Sequence, residues 1–193
     1  MERLRQRIQE DGIVVSDTVI HVHRFLNHAV DPVLVSEIGE AFATQFQEEK
    51  ITKVLTIESS GIAIAFATAL QMGVPMVYAR RLRASMIQGE QYAERVPSFT
   101  KGIVTEIVVA KEVLSPNDRI LYVDDFIANG DAAKGLMKII HRSGAQLVGA
   151  GIVIEKTFQH GGAMMRDAGV KYVSLAKISS LSSGKVIFTE ELP

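Results

Sequence analysis

Apolar and polar positions along this chain follow two rhythms that trade places repeatedly. Short apolar, β-branched runs at 13–15, 53–57, 76–79, 103–110, 120–123, 147–154 and 171–176 predict strands, most of them apolar on both faces. Between them lie stripes at helical spacing. Residues 3–10 read as a short amphipathic helix stopped near Gly12, and Asp31-Pro32 opens a helix over 33–48 with Leu34, Ile38, Ala41, Phe42 and Phe46 on one side. The apolar helix 62–72 is closed by Gly73, helix 132–142 ends at Ser143-Gly144, and helix 159–168 is capped by Gly169. A turn region at 179–184 precedes an edge strand at 185–189. Strands interleaved with helices imply an α/β fold, an open, mostly parallel, twisted sheet flanked by helices.

Composition narrows this picture. A chain of 193 residues, 47% of them hydrophobic, can bury one substantial core and is short for two, so a single domain over 1–193 is expected. The net charge of -1, with both signs mixed along the chain, offers no basic surface for nucleic acid or an anionic membrane. Without cysteine there is no disulfide, thiolate metal site or cysteine nucleophile, which is compatible with a reducing compartment and points to the cytoplasm. The charged amino terminus does not read as a signal sequence, and no apolar run reaches the roughly 18 residues of a membrane span.

The chemistry is densest after the strand at 120–123. Asp124-Asp125 ends that strand, Ala128-Asn129-Gly130-Asp131-Ala132 forms a small-residue turn, and a helix follows. Such a turn lets backbone N–H groups approach an anion, and the helix start adds unpaired donors and the positive end of its dipole. Carboxylates accept from hydroxyls, so an acid pair beside a phosphate cradle suits the diol of a phosphorylated sugar. The competing reading is an Asx-rich helix cap with two solvated aspartates.

Further candidates fall at the same sheet edge. Glu58-Ser59-Ser60-Gly61 follows the strand 53–57 and leads into a helix, placing hydroxyls and amides where open α/β sheets bind ligands; a plain serine N-cap would look the same. Arg80 and Arg81 end the strand 76–79 and are either anion contacts or a solvated patch. Lys156, ending the strand 147–154, is either a ligand donor or neutralised by Glu155. His21, His23 and His28 lack a completing carboxylate or thiol and read as exposed histidines rather than a metal site. Residues 82–102 are polar and without a continuous period, which predicts a mobile functional loop, or a hairpin over 96–109 in its second half.

The run of four apolar residues, Asp124-Asp125-Phe126-Ile127 and Ala128-Asn129-Gly130-Asp131-Ala132 resembles the phosphoribosyl-pyrophosphate motif of type I phosphoribosyltransferases. The resemblance extends over nearly the whole chain, through 51–63, Ser98-Phe99-Thr100-Lys101 and 152–159, and is nearest to the xanthine-using purine branch of that family. It implies the type I phosphoribosyltransferase fold, with a small N-terminal hood over 1–30 that binds the base, a mobile loop over the reaction centre, and transfer of a phosphoribosyl group to xanthine in purine salvage. By that likeness Asp124 and Asp125 are catalytic and grip the ribose, and Ala128, Asn129, Gly130, Asp131 and Ala132 hold its 5′-phosphate. Glu58, Ser59, Ser60, Gly61, Arg80 and Arg81 meet pyrophosphate, while Ile20, Asn27 and Lys156 meet xanthine. The implied cofactor is Mg²⁺, carried by phosphoribosyl pyrophosphate with no direct protein ligand, and a homodimer is the implied assembly. Two alternatives stay open. One is an enzyme for hypoxanthine or guanine; the other is a non-catalytic purine regulator sensing the same donor, whose DNA-binding region would have no room ahead of Ile13.

Overall fold

The computed structural model describes residues 1–82, 89–98 and 103–189. The chain opens with α1 (Glu2–Asp11), which buries Leu4 and Ile8, followed by the hairpin of β1 (Ile13–Ser16) and β2 (Val19–His21) and a π-helical turn at His23–Asn27 that buries Phe25 and Leu26. Helix α2 (Pro32–Gln45) starts sharply because Asp31 accepts from the Val33 and Leu34 amides at 3.1 Å each, with Pro32 in the first turn. Then come β3 (Lys53–Ile57), α3 (Ile62–Met72), β4 (Met76–Leu82), β5 (Gln91–Ser98) and β6 (Ile103–Ala110). The chain continues through β7 (Arg119–Ile127), α4 (Asp131–Ser143), β8 (Gln146–Lys156), α5 (Gly161–Asp167), β9 (Lys171–Ser180) and β10 (Ile187–Phe188).

The main sheet runs in the order β10-β9-β8-β7-β3-β4-β6-β5. Its centre, β9-β8-β7-β3-β4, is parallel, as the apolar runs and crossover helices predict, and the outermost pairings on both sides are antiparallel. One face carries α1, α2, α3 and the hood in a cluster that includes Phe25, Phe42, Phe46, Leu121 and Val123. The other carries α4 and α5 over Ile120, Tyr122, Ile152 and the hairpin residues Val96 and Ile107. Burial of each large apolar side chain contributes about 1.5–3 kcal/mol. No described helix is long and apolar enough to cross a membrane.

Three elements run further than periodicity predicts. Strand β7 continues past the acid pair to Ile127, because Asp124, Phe126 and Ile127 keep their parallel partners Ile152, Ile154 and Glu155. Strand β4 passes through Arg80 and Arg81, which pair with Val108 and Ile107 of β6. Residues 91–98, read from sequence as part of an irregular loop, form β5, antiparallel to β6 as the hairpin alternative has it. The remainder of the expected mobile loop, at 83–88 and 99–102, lies outside the described residues.

Candidate active site

The acid pair stands near the carboxyl end of β7, between the hood on one side and α4 on the other. Asp125 is only 6% exposed and fully engaged. Its Oδ1 accepts from Ser60 Oγ at 2.9 Å and from the Phe126 amide at 3.0 Å, and its Oδ2 from Asn27 Nδ2 at 3.0 Å. Donors from the hood, the 58–61 turn and β7 thus converge on one carboxylate and fix its direction. Asp124, one residue back, points to the opposite side of the strand. There its Oδ2 accepts from the Tyr122 hydroxyl at 2.6 Å, while Oδ1 takes the Asp125 amide at 3.0 Å.

These surroundings unbalance the pair. Burial, and after it the neighbouring Asp125 charge, pushes the Asp124 carboxyl well above the usual carboxylate range, against the opposing donations from Tyr122 and the Asp125 amide. The Tyr122 hydroxyl is itself pushed well up, by burial and by Asp124, so it remains a donor. A carboxyl whose folded pKa lies above its unfolded value of 3.8 stabilises the fold fully below that pH, and this contribution is lost as pH rises through the folded value. Asp124→Asn, whose amide can answer both Tyr122 and the Asp125 N–H, should therefore melt at a higher temperature than the parent chain at neutral pH. The gain should vanish as the pH falls towards 3.8, which thermal melts across a pH series will show.

The turn at 58–61 rests directly on the acids. A β-carbon at Gly61 would collide with Thr56 Oγ1 and come within 2.7 Å of Asp124 Oδ1, so only glycine lets the turn close. Glu58 ties the turn to β4: its Oε1 accepts from the Arg81 amide at 2.6 Å, and the Arg81 Nε donates to the Glu58 carbonyl at 3.2 Å. Arg81 Nη1 also donates to Thr105 Oγ1 at 3.2 Å. On the far side, Gly130 adopts φ 83°, the left-handed conformation that turns the chain into α4, whose first residues are Asp131 and Ala132.

Together these pieces enclose a cavity of about 270 Å³. Asp124, Asp125, Ala128, Asn129, Gly130, Asp131 and Ala132 line it from β7 and the helix start, and Glu58, Ser60 and Arg81 from the opposite side. Tyr122, Val96 and Pro97 complete the wall. A second hollow of about 420 Å³ lies under the hood, bounded by Ile20, Asn27, Ser59 and Ser60 and by His21, His23 and His28. Ser60 borders both, and the Asn27–Asp125 hydrogen bond runs between them. A phosphorylated sugar and a flat heterocycle would thus lie side by side.

Three expected site residues line neither hollow. Gly61 lies beneath the acids. Arg80 emerges on the other side of β4 from Arg81, beside Tyr78 and Val108, with its Nε 3.9 Å from Glu58 Oε2. Lys156 donates to the Thr18 carbonyl at 2.8 Å and lies 5.8 Å from the Phe126 ring centroid, and burial lowers its pKa. Its expected neutralising partner, Glu155, instead pairs with Arg166 at 3.0 Å. Among the described residues, His21, His23 and His28 form no group able to hold a metal ion; their rings touch edge to face.

Sequence reading missed Tyr122, Val96 and Pro97. Tyr122 carried a usable signal, since a residue two before Asp124 on a strand must share its face. The other two belong to the segment taken for a loop.

A profile of the phosphoribosyl transferase domain matches residues 31–180. The chain is 51% identical to a xanthine phosphoribosyltransferase of Moorella thermoacetica over 188 residues, covering 97% of this chain and 96% of that one. It is 50% identical to a xanthine phosphoribosyltransferase of Geobacillus thermodenitrificans, covering 100% and 99%. Among solved structures, adenine phosphoribosyltransferase from Rhodothermus marinus superposes with a TM-score of 0.72 at 26% identity, over 92% of this chain and 97% of that one.

Proposed function

The chain belongs to the phosphoribosyl transferase domain family, and from that premise we propose that it moves the 5-phosphoribosyl group of phosphoribosyl pyrophosphate onto N9 of xanthine, releasing xanthosine 5′-monophosphate and pyrophosphate. The observation that carries the reading is the single cavity in which an acid pair faces a small-residue loop at a helix start. The choice of base rests on the xanthine phosphoribosyltransferases, about half identical over their full length.

In this reading the 5′-phosphate takes the amides of 128–132 and the positive end of α4, and Asp124 and Asp125 accept from the ribose hydroxyls. Negative charge on Asp125 also favours the cationic, oxocarbenium-like sugar that forms as pyrophosphate leaves. Ser60, the amides of the 58–61 turn and the Arg81 guanidinium receive the departing pyrophosphate. Asn27 and Ile20, which line the hood hollow, orient the base, and Lys156, held outside that hollow on the Thr18 carbonyl, swings from this bond to donate to an oxo group. A donor-only ammonium favours an oxopurine over an aminopurine.

The residues fit a magnesium ion that arrives with the donor. Asp124 and Asp125 line the cavity beside the small-residue loop and offer the carboxylate oxygens that a hard, hydrated cation prefers. The ion would be held by donor oxygens and water near Asp124 and Asp125, where it would supply positive charge to neutralise the leaving pyrophosphate. The apolar patch of Val30, Phe66 and Leu70, exposed by 44–68%, supports a homodimer. A multiply charged, membrane-impermeant donor sets the reaction in the cytoplasm.

The test is turnover of labelled phosphoribosyl pyrophosphate with Mg²⁺ and one purine at a time. We expect nucleotide formation with xanthine to exceed that with guanine or hypoxanthine. A preference for guanine would move the chain to the second enzymatic reading, and donor binding without any product would identify a sensor.

A further inference from the structure

A buried carboxylate outside the cavity has no part in the chemistry above. Glu155 is 1% exposed, and both its oxygens are engaged, Oε1 by Arg166 Nη2 at 3.0 Å and Oε2 by Ser174 Oγ at 2.7 Å. A buried ion pair of this kind is a weak source of stability, since desolvation offsets most of the attraction. Its geometry shows another use. The carboxylate packs so closely against the first turn of α5 that a β-carbon on Gly162 would collide with it, and Arg166, on the next turn, grips it from above. Helix α5 is thereby pinned to the end of β8.

The same turn of α5 is the floor of the sugar-phosphate loop. The Gly161 amide donates to the Ala128 carbonyl at 2.8 Å, and at Gly130 a β-carbon would come within 2.6 Å of Met164 Cε and 3.1 Å of Gly161 Cα. The loop is joined to β7 on one side and α4 on the other, and between them it rests on α5. Its seat on α5 thus depends on where α5 lies, and Glu155 is one of the groups that fix α5.

We propose that Glu155, with Arg166, is a positioning residue that sets the 5′-phosphate loop at 128–132 through α5 without touching any substrate. The proposal rests on the functional reading given above. Glu155→Gln keeps the shape and its amide can still donate to the Ser174 hydroxyl, but it removes the charge that holds the Arg166 guanidinium. Displacement of the loop should raise the KM for phosphoribosyl pyrophosphate and weaken competitive inhibition by ribose 5-phosphate by roughly tenfold each. Inhibition by pyrophosphate, which meets the 58–61 turn instead, and the KM for xanthine should change less than about twofold. Arg166→Gln, at a half-exposed position less critical for folding, should act in the same direction, and the double variant should be no worse than the worse single one. Equal weakening of ribose 5-phosphate and pyrophosphate, or a fall in melting temperature with both inhibition constants unchanged, would overturn the proposal. If the parent chain binds neither ribose 5-phosphate nor pyrophosphate, the functional reading itself has failed, a result separable from either outcome.

Discussion

Asp125→Asn should lose turnover by about two to three orders of magnitude while the chain stays folded. The carboxylate accepts three hydrogen bonds, and one oxygen takes two of them, from Ser60 and the Phe126 amide. An amide can keep that oxygen, but its nitrogen would then face the Asn27 Nδ2, donor against donor, unless the Asn27 amide turns over. The ribose loses a charged acceptor and the transition state loses a negative charge placed beside the developing cation. Because the side chain is isosteric and the surrounding contacts are polar rather than core, the far-ultraviolet circular dichroism should match the parent chain. Steady-state rates with xanthine and phosphoribosyl pyrophosphate measure the effect, and near-normal turnover would remove Asp125 from the reaction centre.

Gly130→Ala should damage the same reaction through the donor's phosphate. The position has φ 83°, which costs a residue with a β-carbon about 1–2 kcal/mol, and the new methyl would be driven into Met164 and towards Gly161. Met164 is the end of a flexible side chain and can give way; the Gly161 backbone cannot without moving α5. The loop should shift outward, raising the KM for phosphoribosyl pyrophosphate by about tenfold or more and leaving the KM for xanthine nearly unchanged. An effect confined to the base would place the phosphate elsewhere.

Much of this site was legible because it is local. The acid pair, the small-residue turn and the helix start occupy thirteen consecutive positions from Ile120 to Ala132, and each obeys a rule about strands, turns or helix ends. The 58–61 turn was legible for the same reason. What failed depended on partners remote in sequence. Strand β7 extends past two aspartates because β8 continues beside it, and no propensity of Asp-Asp predicts that. Strand β5 alternates weakly, with Gln91, Glu94, Arg95 and Pro97 among its residues, because it is an edge strand whose order comes from pairing with β6. Arg80 and Arg81 were legible as basic residues near the cavity but not as residues on opposite sides of a strand, since that required knowing that β6 keeps β4 extended through them. The bond from Asn27 to Asp125 joins positions 98 apart, and pattern alone could not supply it.

That last bond has a consequence for how two ligands coexist. The Asn27 amide donates to a carboxylate oxygen that, on the proposed chemistry, the sugar's hydroxyls also approach. On that chemistry, a ribose hydroxyl that replaces the amide at this oxygen would leave the Asn27 side chain to the incoming heterocycle. Occupancy of the sugar compartment would then be felt in the hood through a single hydrogen bond.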